Sequence, residues 1–452
     1  ALCPTDGLNQ KFKLSKNEQG RTFVTVSEDL SLEDLTMPIL REIQVDGCCD
    51  LIYSQPIEAG DNSYSFVDYA KLLSESYKNN NKLRMPISSM CKDCEYRTTE
   101  EEDKAGLKNG FRECWKGCLG WSDEDFVDLT VLDIWNFRKK DKLINQGKIK
   151  LTFITEDDIS PKEDDKPGLS TTERQWLQVQ KEQNDDQTAW CDTDNLKEEM
   201  DSWLYPLHFI DFETSMVAIP FNKGRHPYEG IAFQFSHHVV YEGGHIEHKG
   251  EYLNTAPGVF PNYEFVRKLK AELETDEGSV FRYAAHENSF LNIIYKQLKN
   301  SDESDREELC AFIQTITHSV NGSEEKWTGE RDMIDMCELV KRYYYNPATN
   351  GSNSIKYVLP AILNSSEFLQ KKYSQPVYGA KDGIASHNYQ NWTWIEFKDG
   401  KVADPYKLLP NMFQDVDNKD FELLNGSDEI RDGGAALTAY AKMQFEEMSD
   451  VE

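Results

Sequence analysis

The chain has 452 residues and a formal net charge of -30, from 80 acidic and 50 basic residues. That length predicts two or three domains, and the charge excludes a protein that coats nucleic acid through a bulk cationic surface. No apolar run reaches the roughly 18 residues a membrane-spanning helix needs, and no signal peptide is visible; the ten cysteines are too sparse for a disulfide scaffold and are partly clustered, which predicts a reducing, cytoplasmic setting.

In chain order, residues 1–155 form the first predicted region, an α+β piece with a strand at 21–26, a helix at 64–77 and a cysteine cluster. Two local basic stretches stand out, Arg138-Lys139-Lys140 with Lys142, Lys148 and Lys150, and Lys341-Arg342; each reads first as a solvated helix face. Residues 156–206 are acidic, with Glu156-Asp157-Asp158 and Glu163-Asp164-Asp165, and hold one helix announced by the capping-box pair Ser170 and Glu173. This region is predicted to be a linker with a docking helix.

The third region, residues 207–452, opens with three predicted strands at 207–212, 231–240 and 245–252, the last after the turn Glu242-Gly243-Gly244. A helix at 263–274 follows, with Phe265, Leu269 and Leu273 on one stripe, then a strand at 279–285, a helix at 288–298, a short strand at 333–336 leading into a helix with Leu339 and Val340, and a helix at 354–363. Three consecutive strands followed by alternating helix and strand is the order of a ribonuclease-H-like mixed α/β sheet.

Its first strand carries the acids that matter most. In Phe209-Ile210-Asp211-Phe212-Glu213-Thr214 the two carboxylates are two residues apart, so they share one face of the strand. Acids at the end of an apolar strand call for a partner, and a divalent ion is the usual one. Hydrolysis of a phosphodiester by two divalent ions needs three or four such acids. Glu287, within His286-Glu287-Asn288, and Asp335 on the last short strand are the further candidates. The plainer alternatives are a salt bridge for Asp211, helix caps for Glu213 and Asp335, and a core role for His286.

The Asp-Phe-Glu-Thr strand resembles the first motif of the DnaQ-type (DEDD) 3′–5′ exonucleases. The stretch from His286 to Leu291 resembles their second motif, with Glu287 where Asn is expected and Leu291 where the Asp is expected. That departure shifts the second ligand to Glu287. The segments 227–236, Ala285-His286-Glu287-Asn288 and 351–360, together with the acidic strand, resemble a bacterial domain family of unknown function often fused behind a RecB-like nuclease domain. The exonuclease resemblance implies a last Asp after a Tyr or His on a C-terminal helix. Tyr440 has no Asp at that offset, so the exonuclease domain is expected to be truncated at its C-terminus.

Cys91 and Cys94, two residues apart, with Cys114 and Cys118 downstream, have the composition of a four-thiolate site for Zn²⁺ or a [4Fe–4S] cluster. Their arrangement resembles the tail of iron–sulfur RecB-like nucleases, which would make residues 1–155 the C-terminal part of such a region. The expected activity is 3′–5′ exonuclease cleavage of DNA, or RNA, with Mg²⁺ or Mn²⁺ held by Asp211, Glu213 and Glu287, and Asp335 assisting. The rival expectation is a catalytically inactive exonuclease-like module that binds nucleic acid or protein.

Overall fold

A computed structural model describes residues 12–16, 22–33, 44–59, 62–83, 86–398, 400–409 and 433–445. The chain divides into two units, one of Ile43–Asn195 with Val340–Asn353, the other of Ala1–Glu42, Leu196–Leu339 and Ser354–Glu452. No helix among the described residues is long and apolar enough to cross a membrane.

The first unit gathers its core around helix α1, Gly110–Leu119. Phe111 and Trp115 are one turn apart and turn the same stripe inward, their rings 4.8 Å apart. They meet Leu132, Ile134, Leu143, Leu151 and Val179. Asn109 caps the helix by accepting from Arg112 N, and Gly120 ends it in the left-handed conformation at φ 70°.

Helix α2, Thr171–Gln183, carries the expected Ser170/Glu173 capping box. The segment read from sequence as a linker, 156–206, is here divided between the units, and α2 is built into the first. Its buried face is largely polar, which is why it reads as linker. Gln178 and Gln175 bond the backbone at Asp133 and Trp135, and Gln183 donates to the carbonyls of Leu151 and Ile154. Arg174, 2% exposed, donates to the carbonyls of Val340, Lys341 and Tyr344 and to Asn353. A buried guanidinium needs that many acceptors, and carbonyls at the end of the helix Met336–Tyr343 and just after it supply most of them.

The basic stretch at 138–150 is partly consumed by its own unit. Lys140 is buried and donates to the Leu132 carbonyl. Lys148 pairs with Asp158, and Lys150 with Asp125 and Asp128.

The second unit is organised by a five-stranded sheet of β1 (Leu207–Ser215), β2 (Ile231–Val240), β3 (Ile246–Leu253), β4 (Val280–Arg282) and β5 (Ile334–Asp335). The spatial order is β3-β2-β1-β4-β5. The pairs β1–β2 and β2–β3 are antiparallel, while β1–β4 and β4–β5 are parallel. Parallel neighbours need crossovers. Helix α3 (Asn262–Leu273) lies between β3 and β4; α4 (His286–Lys299) and α5 (Arg306–Ile316) lie between β4 and β5. Helix α5 was not among the predicted elements, although Leu309, Phe312, Ile313 and Ile316 follow helical spacing and are buried.

These helices cover one face of the sheet. Ile210 and Phe212 of β1 and Phe235 of β2 pack there against Phe265, Leu269, Leu291, Ile294 and Ile313. Deeper on that face, His208 Nδ1 and His237 Nε2 are 2.9 Å apart, with Asp276 bonded to the outer nitrogen of His208 and Glu272 to that of His237. A bulge between Glu213 and Thr214, where the partner strand gains a residue at Phe233, turns Phe233 away from this core. Phe233 instead stacks at 4.0 Å on Tyr440 of the last described helix, α7, Gly433–Phe445.

Candidate active site

Because side chains alternate along β1, Ile210 and Phe212 point into the core while Asp211 and Glu213 point to the opposite face. Asp211 is the one exposed residue of this strand. Protein packed around its carboxyl still strips away hydration, and this desolvation raises its pKa; the nearby His286 works in the opposite sense. Glu213 sits opposite Gln234 of β2.

Strand β4 delivers the next groups. It leads into α4 through Ala284, whose φ of 69° is a left-handed conformation costly for a residue with a Cβ, on the order of 1–2 kcal/mol. Two bonds hold it there: Ala284 N donates to Asp335 Oδ1 at 2.9 Å, and Arg282 donates to the Ala284 carbonyl. The turn sets His286 and Glu287 in the first turn of α4. His286 Nε2 lies 3.0 Å from Thr214 Oγ1, and burial holds this histidine below the usual range.

Glu287 is 2% exposed, and its Oε2 has no hydrogen-bond partner. Burial is the main reason its pKa is raised to about 7, with the charges of Asp211 and Asp335 adding to the rise and Arg282 opposing it. The structure thus brings Asp211, Glu287 and Asp335 within one electrostatic neighbourhood. Tyr406, which the sequence did not single out, joins them: burial and then the Asp211 charge raise its pKa. It lines an apolar cavity of about 510 Å³ with Leu359 and Trp394. Nothing in the run Asp404-Pro405-Tyr406 signals that proximity, which comes from the chain's return to the sheet.

Asp335 is the most heavily engaged of the predicted acids. It pairs with Arg282 at 2.8 Å and accepts from the backbone of Ala284, Cys337 and Glu338. It therefore caps helix α6, Met336–Tyr343, while balancing a guanidinium that is 5% exposed. Replacing Asp335 with Ala leaves that charge buried and unpaired. The expected result in urea denaturation is a loss of about 3–5 kcal/mol of stability; a loss of metal affinity at unchanged stability would contradict this structural role.

Two buried titrations oppose each other in the unit. Unfolded histidine titrates near about 6.5. The folded His208–His237 pair cannot take a proton on each ring, because both facing nitrogens would then carry hydrogen and break their 2.9 Å bond. Burial, partly offset by Glu272, lowers His237 to about 4. Between these values the unfolded chain binds the extra proton, so stability falls as pH falls, at about 1.4 kcal/mol per unit. Glu287 acts in the other direction, since its folded pKa of about 7 stands above its ordinary 4.5 and its contribution rises as pH falls through that window. Glu287→Gln removes the compensation. Urea midpoints between pH 7 and 4.5 should therefore drop more steeply for this variant than for the parent chain, and coincident curves would rule the assignment out.

The four cysteines are placed differently. Cys91 and Cys94 are partly buried against the first unit's core, whereas Cys114 and Cys118 lie on the exposed stripe of α1. Among the described residues, one group of three or more His, Cys, Asp or Glu side chains brings its ligand atoms all within 4.8 Å of one another: His248, Glu251 and His387. Neither the cysteines nor the set Asp211, Glu213 and Glu287 reaches that convergence. None of the three residues that do was singled out by sequence, because His387 is more than a hundred residues from the other two.

Another segment that the sequence singled out resolves into architecture. Within Pro227-Tyr228-Glu229-Gly230, Glu229 accepts from His226 N and Arg225, while Gln297 and Asn262 bond the Gly230 carbonyl.

Compared with known families, residues 208–354 match the family described as Domain of unknown function (DUF2779). No curated protein matches the chain, and no solved structure matches it.

Proposed function

We propose that the sheet-bearing unit is a metal-dependent nuclease of ribonuclease-H-like fold, acting from 3′ ends on DNA or RNA. One observation carries the reading: a carboxylate nine-tenths buried, Glu287, has an oxygen without a partner beside Asp211. A buried acid held near neutral pKa beside another acid is stabilised by a cation. The strand order β3-β2-β1-β4-β5, with the acids on the central β1 and on the helix after β4, supports the fold assignment.

Asp211, Glu213 and Glu287 are the residues that would hold Mg²⁺ or Mn²⁺, hard cations suited to an all-oxygen donor set. When bound, such ions activate water and stabilise the leaving oxygen of a phosphodiester. Asp335 acts through Arg282 and the Ala284 turn to fix where Glu287 stands. His286, neutral and bonded to Thr214, holds the rim beside Asp211. Tyr406 and the apolar cavity beside it offer a surface for a nucleobase, since aromatic side chains stack on bases of any sequence.

The test is degradation of end-labelled single-stranded DNA and RNA with Mg²⁺ or Mn²⁺, repeated with chelator. Metal-dependent shortening from the 3′ end is expected. Intact DNA and RNA in both metals would instead favour a noncatalytic binding module, the role that fits the heavy engagement of Asp335.

A further inference from the structure

We propose that His248, Glu251 and His387 form a second metal site, separate from the acids of β1, that takes a divalent transition ion of the zinc class and fastens the 374–395 segment to the edge of the sheet.

The site begins with strand register. His248 and Glu251 lie on the edge strand β3, and the bulge between His237 and His238 sets His248 directly opposite His238. Their rings stack 4.5 Å apart at 10°. His238 Nε2 is occupied by the Tyr378 hydroxyl at 2.6 Å. His248 is 4% exposed, yet its Nε2 has no hydrogen-bond partner. That nitrogen lies 3.3 Å from Glu251 Oε2, close enough to feel the charge but out of line for a hydrogen bond. A hydrogen bond with the Gly250 backbone acts on the His248 ring; with Nε2 unpartnered, that bond falls to Nδ1 and leaves the Nε2 lone pair open. A ligand histidine is commonly oriented through its other nitrogen in this way.

The third ligand arrives from far along the chain. Ala385 bridges Glu247 in parallel, and His248 N donates to the Ala385 carbonyl at 2.8 Å. This pins the backbone two residues before His387, whose ring centroid lies 4.5 Å from that of His248. His387 Nδ1 is 3.9 Å from Glu251 Oε1, and Asn388 Nδ2 reaches Glu251 Oε2 at 3.4 Å. Ligand atoms on a tetrahedral zinc ion, about 2.0–2.2 Å from the metal, stand about 3.3 Å apart. His248 Nε2 and Glu251 Oε2 stand at that value, and the three residues offer ligand atoms all within 4.8 Å of one another, so a small closing of His387 completes the set. Two imidazoles and one carboxylate suit zinc-class ions, where Mg²⁺ would take oxygen alone.

The consequence is mechanical. Tyr378, Tyr389, Trp392 and Trp394 form one aromatic cluster within this segment. Joining His387 to β3 would reinforce the cover that Ala385 already gives this edge of the sheet and hold the cluster against it.

The experiment uses the full chain carrying Asp211→Asn, stripped of metal and titrated with Co²⁺ and then Zn²⁺. One equivalent of Co²⁺ with visible d–d absorption typical of nitrogen and oxygen ligands is expected, displaced by Zn²⁺. His387→Gln, at an exposed position, should weaken binding by at least about a hundredfold, since even outer-shell changes cost about 10–100-fold; Glu251→Gln should weaken it too. The proposal is overturned if no equivalent binds, if His387→Gln leaves the affinity unchanged, or if the bands show thiolate charge transfer, which would locate the ion at the cysteines.

Discussion

Asp211→Asn is expected to lower metal-dependent strand degradation by at least about a hundredfold without weakening the fold. The loss follows because an amide cannot supply the negative charge a hard cation demands, and removing an inner ligand costs more than the 10–100-fold seen for outer-shell partners. The fold should tolerate the change because desolvation already raises the Asp211 pKa, so its charge is held at a cost there. The charge of Asp211 also helps to raise Glu287, so the variant should lower the Glu287 pKa. Single-turnover rates, melting temperature and a titration of Glu287 followed by NMR measure the three effects. A variant that degrades DNA at the parent rate would remove Asp211 from the mechanism.

The second large effect concerns Leu291, which stands where the resembled exonuclease motif has an Asp. Its side chain is fully buried among Ile210, Phe265 and Ile294. Leu291→Asp removes a core side chain, worth about 2–5 kcal/mol, and adds a carboxylate to an apolar site with no partner. The sum approaches the total stability of many domains, about 5–15 kcal/mol, so the variant should be unfolded or insoluble. Leu291→Met, which conserves volume, should cost less than about 1.5 kcal/mol. Circular dichroism and urea unfolding separate the two. A soluble Leu291→Asp protein with raised activity would show that the ligand belongs at 291 and that the assignment to Glu287 is mistaken.

The proposed displacement of the ligand from 291 to 287 has a simple geometric reason. Four residues make about one helical turn, so both positions lie on one stripe of α4. Glu287 is in the first turn, next to the sheet acids, while Leu291 is one turn deeper, inside the core. A carboxylate is workable at the first position and ruinous at the second.

Local pattern made the sheet legible. The pattern at 207–212 and 231–240 placed β1, which extends to Ser215, and β2, and the stripe Phe265, Leu269, Leu273 placed α3. Where buried faces were polar or contacts distant, pattern failed. Helix α2 and its cap were legible from Ser170 and Glu173, but its place within the first unit was not, because Arg174, Gln175 and Gln178 dock it through bonds to backbone carbonyls far along the chain. Helix α7 escaped because what fixes it is the stacking of Tyr440 on Phe233, which the bulge beside Glu213 re-aims.

The sequence by itself determined that Asp211 and Glu213 share a face, because strand period is a local property of the backbone. It also named Glu287 as the candidate for the shifted acid. Only the tertiary structure decided that Glu287 is buried with an unpartnered oxygen, that Asp335 is committed to Arg282, and that His387 reaches His248 and Glu251. Those outcomes depend on desolvation and on contacts between residues tens to more than a hundred positions apart, quantities that no local period encodes.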